Sequence, residues 1–140
     1  MRKTISIVIP VFNEEENLRE FYTRLTKVMS EVSYDYDIIF VDDGSRDASS
    51  AILYDLSQND EHVQAYLLSR NFGHQMALTC GLDHAEGDAV ITMDGDLQHP
   101  PELIPELLGL WEAGYEIVQT VRKDTADASK FKKITSSTYY

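Results

Sequence analysis

Cysteine is almost absent. Cys80 is alone, so no internal disulfide is possible and a reducing compartment is expected. Long apolar runs are missing too: none approaches the ~20 residues needed to span a bilayer. The start, MRKTISIVIPVF, has the basic residues and apolar run of a leader peptide. Pro10 interrupts that run, Glu14-Glu15-Glu16 follows, and no small-residue cleavage site is found, so a leader is rejected. As it stands the chain reads as soluble and cytoplasmic. Positive charge is scarce, with 12 basic residues against 24 acidic ones and a net charge of −12. That balance disfavours a bare polyanion such as nucleic acid. An acidic chain that handles phosphates needs a cation between itself and its ligand. Internal repeats and low-complexity segments are absent as well.

What is present is an interleaving of strand and helix patterns. With 140 residues and 43% hydrophobic content, one α/β domain is expected. Ile5 to Phe12 reads as a strand, apolar on both faces, as suits a sheet covered on both sides. Asn13 and Glu16 have capping-box spacing, and Leu18, Phe21, Leu25, Val28 and Val32 follow as a helical stripe. Tyr36 to Val41 is a second strand, ending at Asp42-Asp43-Gly44-Ser45. Ser45 is placed to cap a helix that buries Ala48, Ile52 and Leu56. Val63 to Leu68 is a third strand, followed by Ser69-Arg70-Asn71-Phe72-Gly73-His74 and a helix from about Gln75 to His84. Glu86-Gly87-Asp88 then turns the chain into a central strand, Ala89 to Met93. Pro101 can open a helix carrying Leu103, Ile104, Leu107, Leu108 and Trp111, which Gly114 ends. Glu116 to Val121 is a fifth strand. The order βαβαβαβαβ predicts a three-layer, mostly parallel, Rossmann-like sheet with right-handed crossovers.

From Arg122 the character changes. The tail is poor in apolar residues, and Arg122, Lys123, Lys130, Lys132 and Lys133 outnumber Asp124 and Asp127. It reads equally well as a solvated face or as a segment that meets phosphate or membrane. It ends on Tyr139-Tyr140 without a stop signal, which reads as a cut. The chain therefore divides into a core, 1–121, and an incomplete segment, 122–140.

The chemistry collects at strand ends. Asn13-Glu14, Asp42-Asp43 and Asp94-Gly95-Asp96 each follow a strand, and parallel strands bring such ends to one crevice. Crowded carboxylates stay ionised only if a cation or hydrogen-bond donors compensate, and Arg70 or a metal at Asp96 are the candidates. In an extended chain, Asp94, Asp96 and Gln98 point to one side, successive members roughly 6.6 Å apart. Three oxygen-bearing side chains so placed suit a hard divalent cation with room for phosphate oxygens. The plainer reading is turn chemistry, which accounts for Gly44 and Ser45 but leaves the paired acids idle. His74 and His99 are single loop histidines, read as solvent-exposed before they are read as ligands. The Leu103 to Trp111 stripe is core.

PVFNEEENL, then VDDGSRD, SRNFGHQMALTCGLDHAEGD and MDGDLQHPPEL, together resemble the family 2 glycosyltransferases across nearly the whole chain. Within that family the blocks resemble the polyprenyl-phosphate glycosyltransferases, of the bactoprenol glucosyltransferase and dolichol-phosphate mannose synthase type. The resemblance implies a GT-A fold, a nucleotide-diphospho-sugar donor (UDP is favoured) and Mg²⁺ or Mn²⁺. It further implies inversion at the anomeric carbon and a polyprenyl phosphate acceptor. Carried onto this sequence, it places Pro10, Phe12, Glu14, Asp42, Asp43, Arg70, Asp94, Gly95 and Arg122 at the nucleotide. Asp94 and Asp96 become the catalytic acids, and Asp96 and Gln98 the metal ligands. Lys133 matches a basic position loosely. Gly95 stands where these enzymes often have alanine. Family members run well beyond 140 residues and usually carry membrane helices. The full-length protein is therefore expected at the cytoplasmic face of a membrane, with homo-oligomerisation open. Rival readings are a sugar-nucleotide-binding module without transfer, a receiver domain and a haloacid-dehalogenase-type phosphatase. A receiver wants its acid pair after the first strand, and the phosphatase wants Thr where Leu97-Gln98 stands.

Overall fold

The computed structural model describes residues 2–98, 100–122 and 131–136, the last strands (117–122 and 131–136) by backbone only. The chain forms two compact units, Met1–Glu102 and Leu103–Tyr140.

In the first unit, β1 (Thr4–Val11), β2 (Asp35–Asp42), β3 (Val63–Leu67) and β4 (Ala89–Thr92) form one sheet in the order β3-β2-β1-β4. Every neighbouring pair is parallel. α1 (Leu18–Ser30) joins β1 to β2, α2 (Ser49–Asn59) joins β2 to β3, and α3 (His74–His84) joins β3 to β4. The first two crossovers step one way along the sheet and the third steps back past β1. With right-handed connections, that reversal puts α3 on the face opposite α1 and α2. Packing agrees: Ala77 of α3 is buried with Val8, Ile39 and Val41. Gly81 follows one turn later, where an added Cβ would come 2.3 Å from Val8 Cγ1. The lack of a side chain there lets α3 lie close on the sheet. Ile5, Ile7 and Ile9 of β1, with Ile38 and Phe40 of β2, are also fully buried. β1 is thus apolar and covered on both faces, as its sequence predicts.

Several local expectations change. Asn13 and Glu16 form no capping box, because Asn13 sits in the left-handed region at φ 53° and α1 starts later, after Asn17. Ser45 does not cap α2, which starts at Ser49. Both residues bind a neighbouring loop instead. α1 buries Met29 in place of Val32, which lies beyond the helix end. α2 buries Ser49, Leu53 and Leu56, while Ala48 is exposed and Ile52 half-buried. β4 is not central: β1 and β2 hold the interior, and β4 pairs only with β1 among the described residues. Its alternating exposure, with Val90 42% exposed, fits that position.

In the second unit, Pro101 opens a 3-10 turn (Pro101–Leu103), whose last residue begins this unit, and α4 (Ile104–Glu112) follows. Ile104 and Leu108 are its buried residues, and Gly114 at φ 105° ends the turn after it. Among the described residues β5 (Ile117–Arg122) has no parallel partner, where a fifth parallel strand was expected. It pairs antiparallel with β6 (Phe131–Ser136), a strand the polar, lysine-rich sequence did not suggest. Lys123, Lys130 and Tyr139-Tyr140 lie outside the described residues.

Candidate functional site

The reversal of strand order falls between β1 and β4. In open parallel sheets, the crevice beyond the carboxyl ends at such a point is where ligands bind. A cleft of about 200 Å³ lies there, lined by Pro10, Thr92, Met93 and Asp94 from the strand ends and by His74 and Leu78 from α3. Pro10 is buried and Asp94 half-buried. Met93 N–H still bonds Val8 O at 3.0 Å, so Asp94 is the first residue released from the sheet.

Beyond Asp94 the chain is not extended. Gly95 and Asp96 form a turn, Leu97 has φ 66°, and Asp96 Oδ1 accepts the Gln98 N–H at 3.0 Å. The one-sided array expected for Asp94, Asp96 and Gln98 is therefore replaced by a tight turn. A bulky residue at positive φ stores strain, which surrounding structure has to hold. Gly95 is buried, with Ile9, Val11 and Leu18 around it. Among the described residues no three His, Cys, Asp or Glu side chains gather as a metal cage. The donors present, Asp94, Asp96 and Gln98, are oxygen ligands too few to enclose an ion. They fit a Mg²⁺ or Mn²⁺ ion that takes its remaining ligands from water and phosphate. His99 lies outside the described residues.

The paired acids at the end of β2 are buried, Asp42 at 2% and Asp43 at 3% exposure. Hydrogen-bond donors from the backbone compensate them. Asp43 Oδ1 accepts Phe72 N–H at 2.8 Å, and Gly73 N–H reaches Oδ2 at 3.2 Å. Asp42 Oδ2 accepts Ser45 N–H at 3.1 Å, while its Oδ1 is buried and without a partner. Arg70, expected as the compensating cation, instead places its guanidinium 4.3 Å from the Phe72 ring centroid. Gly44, at φ 72°, packs so closely on the loop after β3 that an added Cβ would lie 2.3 Å from Arg70 C.

The loop after β1 is tied to the loop after β2 by exchanged hydrogen bonds. Asn13 N–H donates to Ser45 Oγ at 2.9 Å, and Arg46 N–H donates to Asn13 Oδ1 at 2.9 Å. Glu14 N–H donates to the buried Ser49 Oγ at 2.9 Å. Glu15 Oε2 accepts Ala48 N–H, and Asp47 Oδ2 accepts Glu15 N–H. Glu14 Oε2 accepts from Asn17 Nδ2, and Phe12 is exposed. Three strand ends thus reach one sheet edge, with Pro10 and Asp94 together in the cleft, Asp42 at the end of β2 and Asp43 just beyond it. Arg122 is the last residue of β5. His74 and Leu78 were not read from the sequence as cleft residues. The available signal was position, since a helix entered directly from β3 crosses back over the switch point.

This topology is that of the GT-A glycosyltransferases, and it sets aside the receiver domain, in which the third strand pairs with the first. The chain belongs to glycosyl transferase family 2, whose model matches residues 6–139. It is 47% identical over 135 residues to an uncharacterised glycosyltransferase, YkcC, of Bacillus subtilis (strain 168), covering 96% of this chain and 42% of that protein. It is 46% identical over 126 residues to an undecaprenyl-phosphate 4-deoxy-4-formamido-L-arabinose transferase of Pseudomonas fluorescens (strain SBW25), covering 89% of this chain and 37% of the relative. Among solved structures it is similar to glucosyl-3-phosphoglycerate synthase from Mycobacterium tuberculosis in complex with UDP. That similarity has a TM-score of 0.65 at 25% identity and covers 86% of this chain and 43% of that one. The chain thus spans about two-fifths of the length of these relatives. Among the described residues no helix is long and apolar enough to cross a membrane.

Proposed function

We propose that this chain carries the donor-binding part of a glycosyltransferase that moves a sugar from a nucleotide-diphospho-sugar, UDP-linked, to a polyprenyl phosphate. The observation that carries this reading is the cleft at the β1/β4 switch, with Asp94 in its wall and the Gly95-Asp96 turn immediately after it. Family membership supports the transferase class, and the Pseudomonas relative's name supports the lipid phosphate acceptor.

In this reading Pro10, Phe12 and Glu14 form one wall of the nucleotide pocket. The loops anchored by Asp42 and Asp43, with Arg70, form the next. Asp94 meets the nucleotide beside His74, and Gly95 seats the turn against Ile9, Val11 and Leu18. Asp96 and Gln98 would hold Mg²⁺ or Mn²⁺. The bound metal would supply charge neutralisation of the diphosphate leaving group. A lipid phosphate is already anionic near neutral pH, so its nucleophilic oxygen needs no strong general base from the protein. Direct attack then inverts the anomeric carbon.

Calorimetry with UDP tests the donor half. Binding should be measurable with Mn²⁺ and far weaker with a chelator, and Asp96→Ala should remove the difference. Equal affinity with and without metal would count against the reading. A module that binds without transfer is distinguished by assaying the full-length protein for sugar transfer to polyprenyl phosphate.

A further inference from the structure

The turn that carries Asp96 and Gln98 is strained at Leu97, and such strain persists only if the ends of the loop are held. One end is held by the sheet, through Met93 N–H and Val8 O. The other end is held by an ion pair. Arg24 of α1 donates from Nε to Glu102 Oε2 at 3.0 Å and from Nη2 to Glu102 Oε1, a two-pronged fork. Glu20, one turn earlier on α1, lies 3.7 Å from Arg24 Nη1 and pre-orients the guanidinium. The same helix meets the loop a second time: Leu18, in the first turn of α1, stands beside Gly95 with Ile9 and Val11. Leu18 and Arg24 are six residues apart, about 9 Å along a helix. α1 is itself entered through the loop tied to Ser45, Arg46 and Ser49.

We propose that α1 is a clamp on the acid-bearing loop, with Arg24 and Glu102 as positioning residues that set Asp96 and Gln98 for a divalent cation and diphosphate. This deepens the donor-binding reading and rests on it. Neither residue touches the ligand. Their effect passes through the backbone between Glu102 and Asp96, and the fork resists rotation of that segment in a way a single contact does not. Because Arg24 is 32% and Glu102 53% exposed, the effect is modest and weakens with salt.

The test uses Arg24→Gln, Glu102→Gln, the double variant and the swap Arg24→Glu/Glu102→Arg. Two quantities are measured: amide exchange at Gln98, whose N–H bonds Asp96 Oδ1, and UDP affinity in Mn²⁺. Each single variant should speed exchange and weaken binding about threefold, a size typical of a partly exposed pair. The double variant should be no worse than either single, and the swap should recover part of both losses. Arg24→Lys, which keeps the charge and loses the fork, should fall between. Variants whose melting temperature drops while Gln98 exchange and UDP affinity stay at wild-type values would overturn the clamp. If the wild-type chain binds no UDP, the donor reading fails, and the exchange measurement still decides whether Arg24 and Glu102 hold the loop.

Discussion

Asp43 accepts the backbone N–H of Phe72 at 2.8 Å, joining the end of β2 to the loop that leads into α3. The bond makes a buried acid into the fastening between two of the loops around the cleft. Asp43→Ala would leave the Phe72 and Gly73 N–H groups without their acceptor. A loss of about 2–3 kcal/mol is expected from denaturant unfolding, with Asp43→Asn costing less because one carbonyl acceptor remains.

Two glycines should respond to alanine in opposite ways. At Gly44, φ is 72° and an added Cβ meets Arg70 backbone at 2.3 Å. Neither can yield cheaply, so Gly44→Ala should cost at least ~2 kcal/mol. At Gly95 the nearest atoms to an added Cβ are Ile9 Cγ2 at 3.5 Å and Val11 Cγ2 at 3.6 Å, ordinary contact distances. Gly95→Ala should be neutral or stabilise by up to about 1 kcal/mol through the unfolded state. Thermal unfolding of the two variants checks both.

Tyr22 and Asp60 give opposite pH dependences from one hydrogen bond, Tyr22 Oη to Asp60 Oδ2 at 2.5 Å. Burial and that bond push the Tyr22 phenol up to about 12 from its ordinary 10.0. Its folded value is above the unfolded one, so its contribution is complete below pH 10 and lost as the pH rises through about 12. Asp60 moves the other way. Burial would raise it, but hydrogen bonds from Tyr22 and His62 outweigh that and hold its carboxyl below 3.8. Its contribution is present above the unfolded value and fades as the pH falls through the folded one. In Tyr22→Phe the loss of stability above pH 10 should shrink, leaving the part due to Tyr36, whose phenol burial also raises, and the acid-side loss should shrink too. Unchanged alkaline unfolding in this variant would contradict the assignment.

His74 shares the cleft with Asp94 but lies at the exposed start of α3. His74→Ala should therefore leave the melting temperature within about 1 °C of wild type, since exposed substitutions away from buried features change stability little. It should still weaken UDP binding severalfold. Asp94→Asn should weaken it further, and calorimetry orders the three proteins.

The polar sheet edge was legible from strand ends. Asn13, Asp42 and Asp94 stand where apolar runs of strand length stop, and parallel pairing brings such positions to one edge regardless of loop detail. Loop partners were not legible. Asn13 and Ser45 both carry capping chemistry, and the sequence shows only that each can bind a nearby N–H. The fold pairs Asn13 N–H with Ser45 Oγ, 32 residues away, because the two loops emerge side by side. Arg70 was likewise read as a charge partner, and the Phe72 ring two residues on took its guanidinium instead.

By itself the sequence determined the class of fold, since fully apolar strands alternating with amphipathic helices bury both faces only in a parallel layered sheet. It also determined the acidic character of the sheet edge at the carboxyl ends of the strands, because the acids stand where those apolar runs stop. Only the tertiary structure decided the strand order, and with it that β4 lies beside β1 and that the crevice opens between them. It alone brought Arg24 onto Glu102, 78 residues apart, and put Leu97 at positive φ. The physical reason is range. Periodicity and turn chemistry act over a few residues and are written locally. The contacts that set the Asp96 turn close only when distant elements pack, and no local pattern encodes which of many polar side chains will meet.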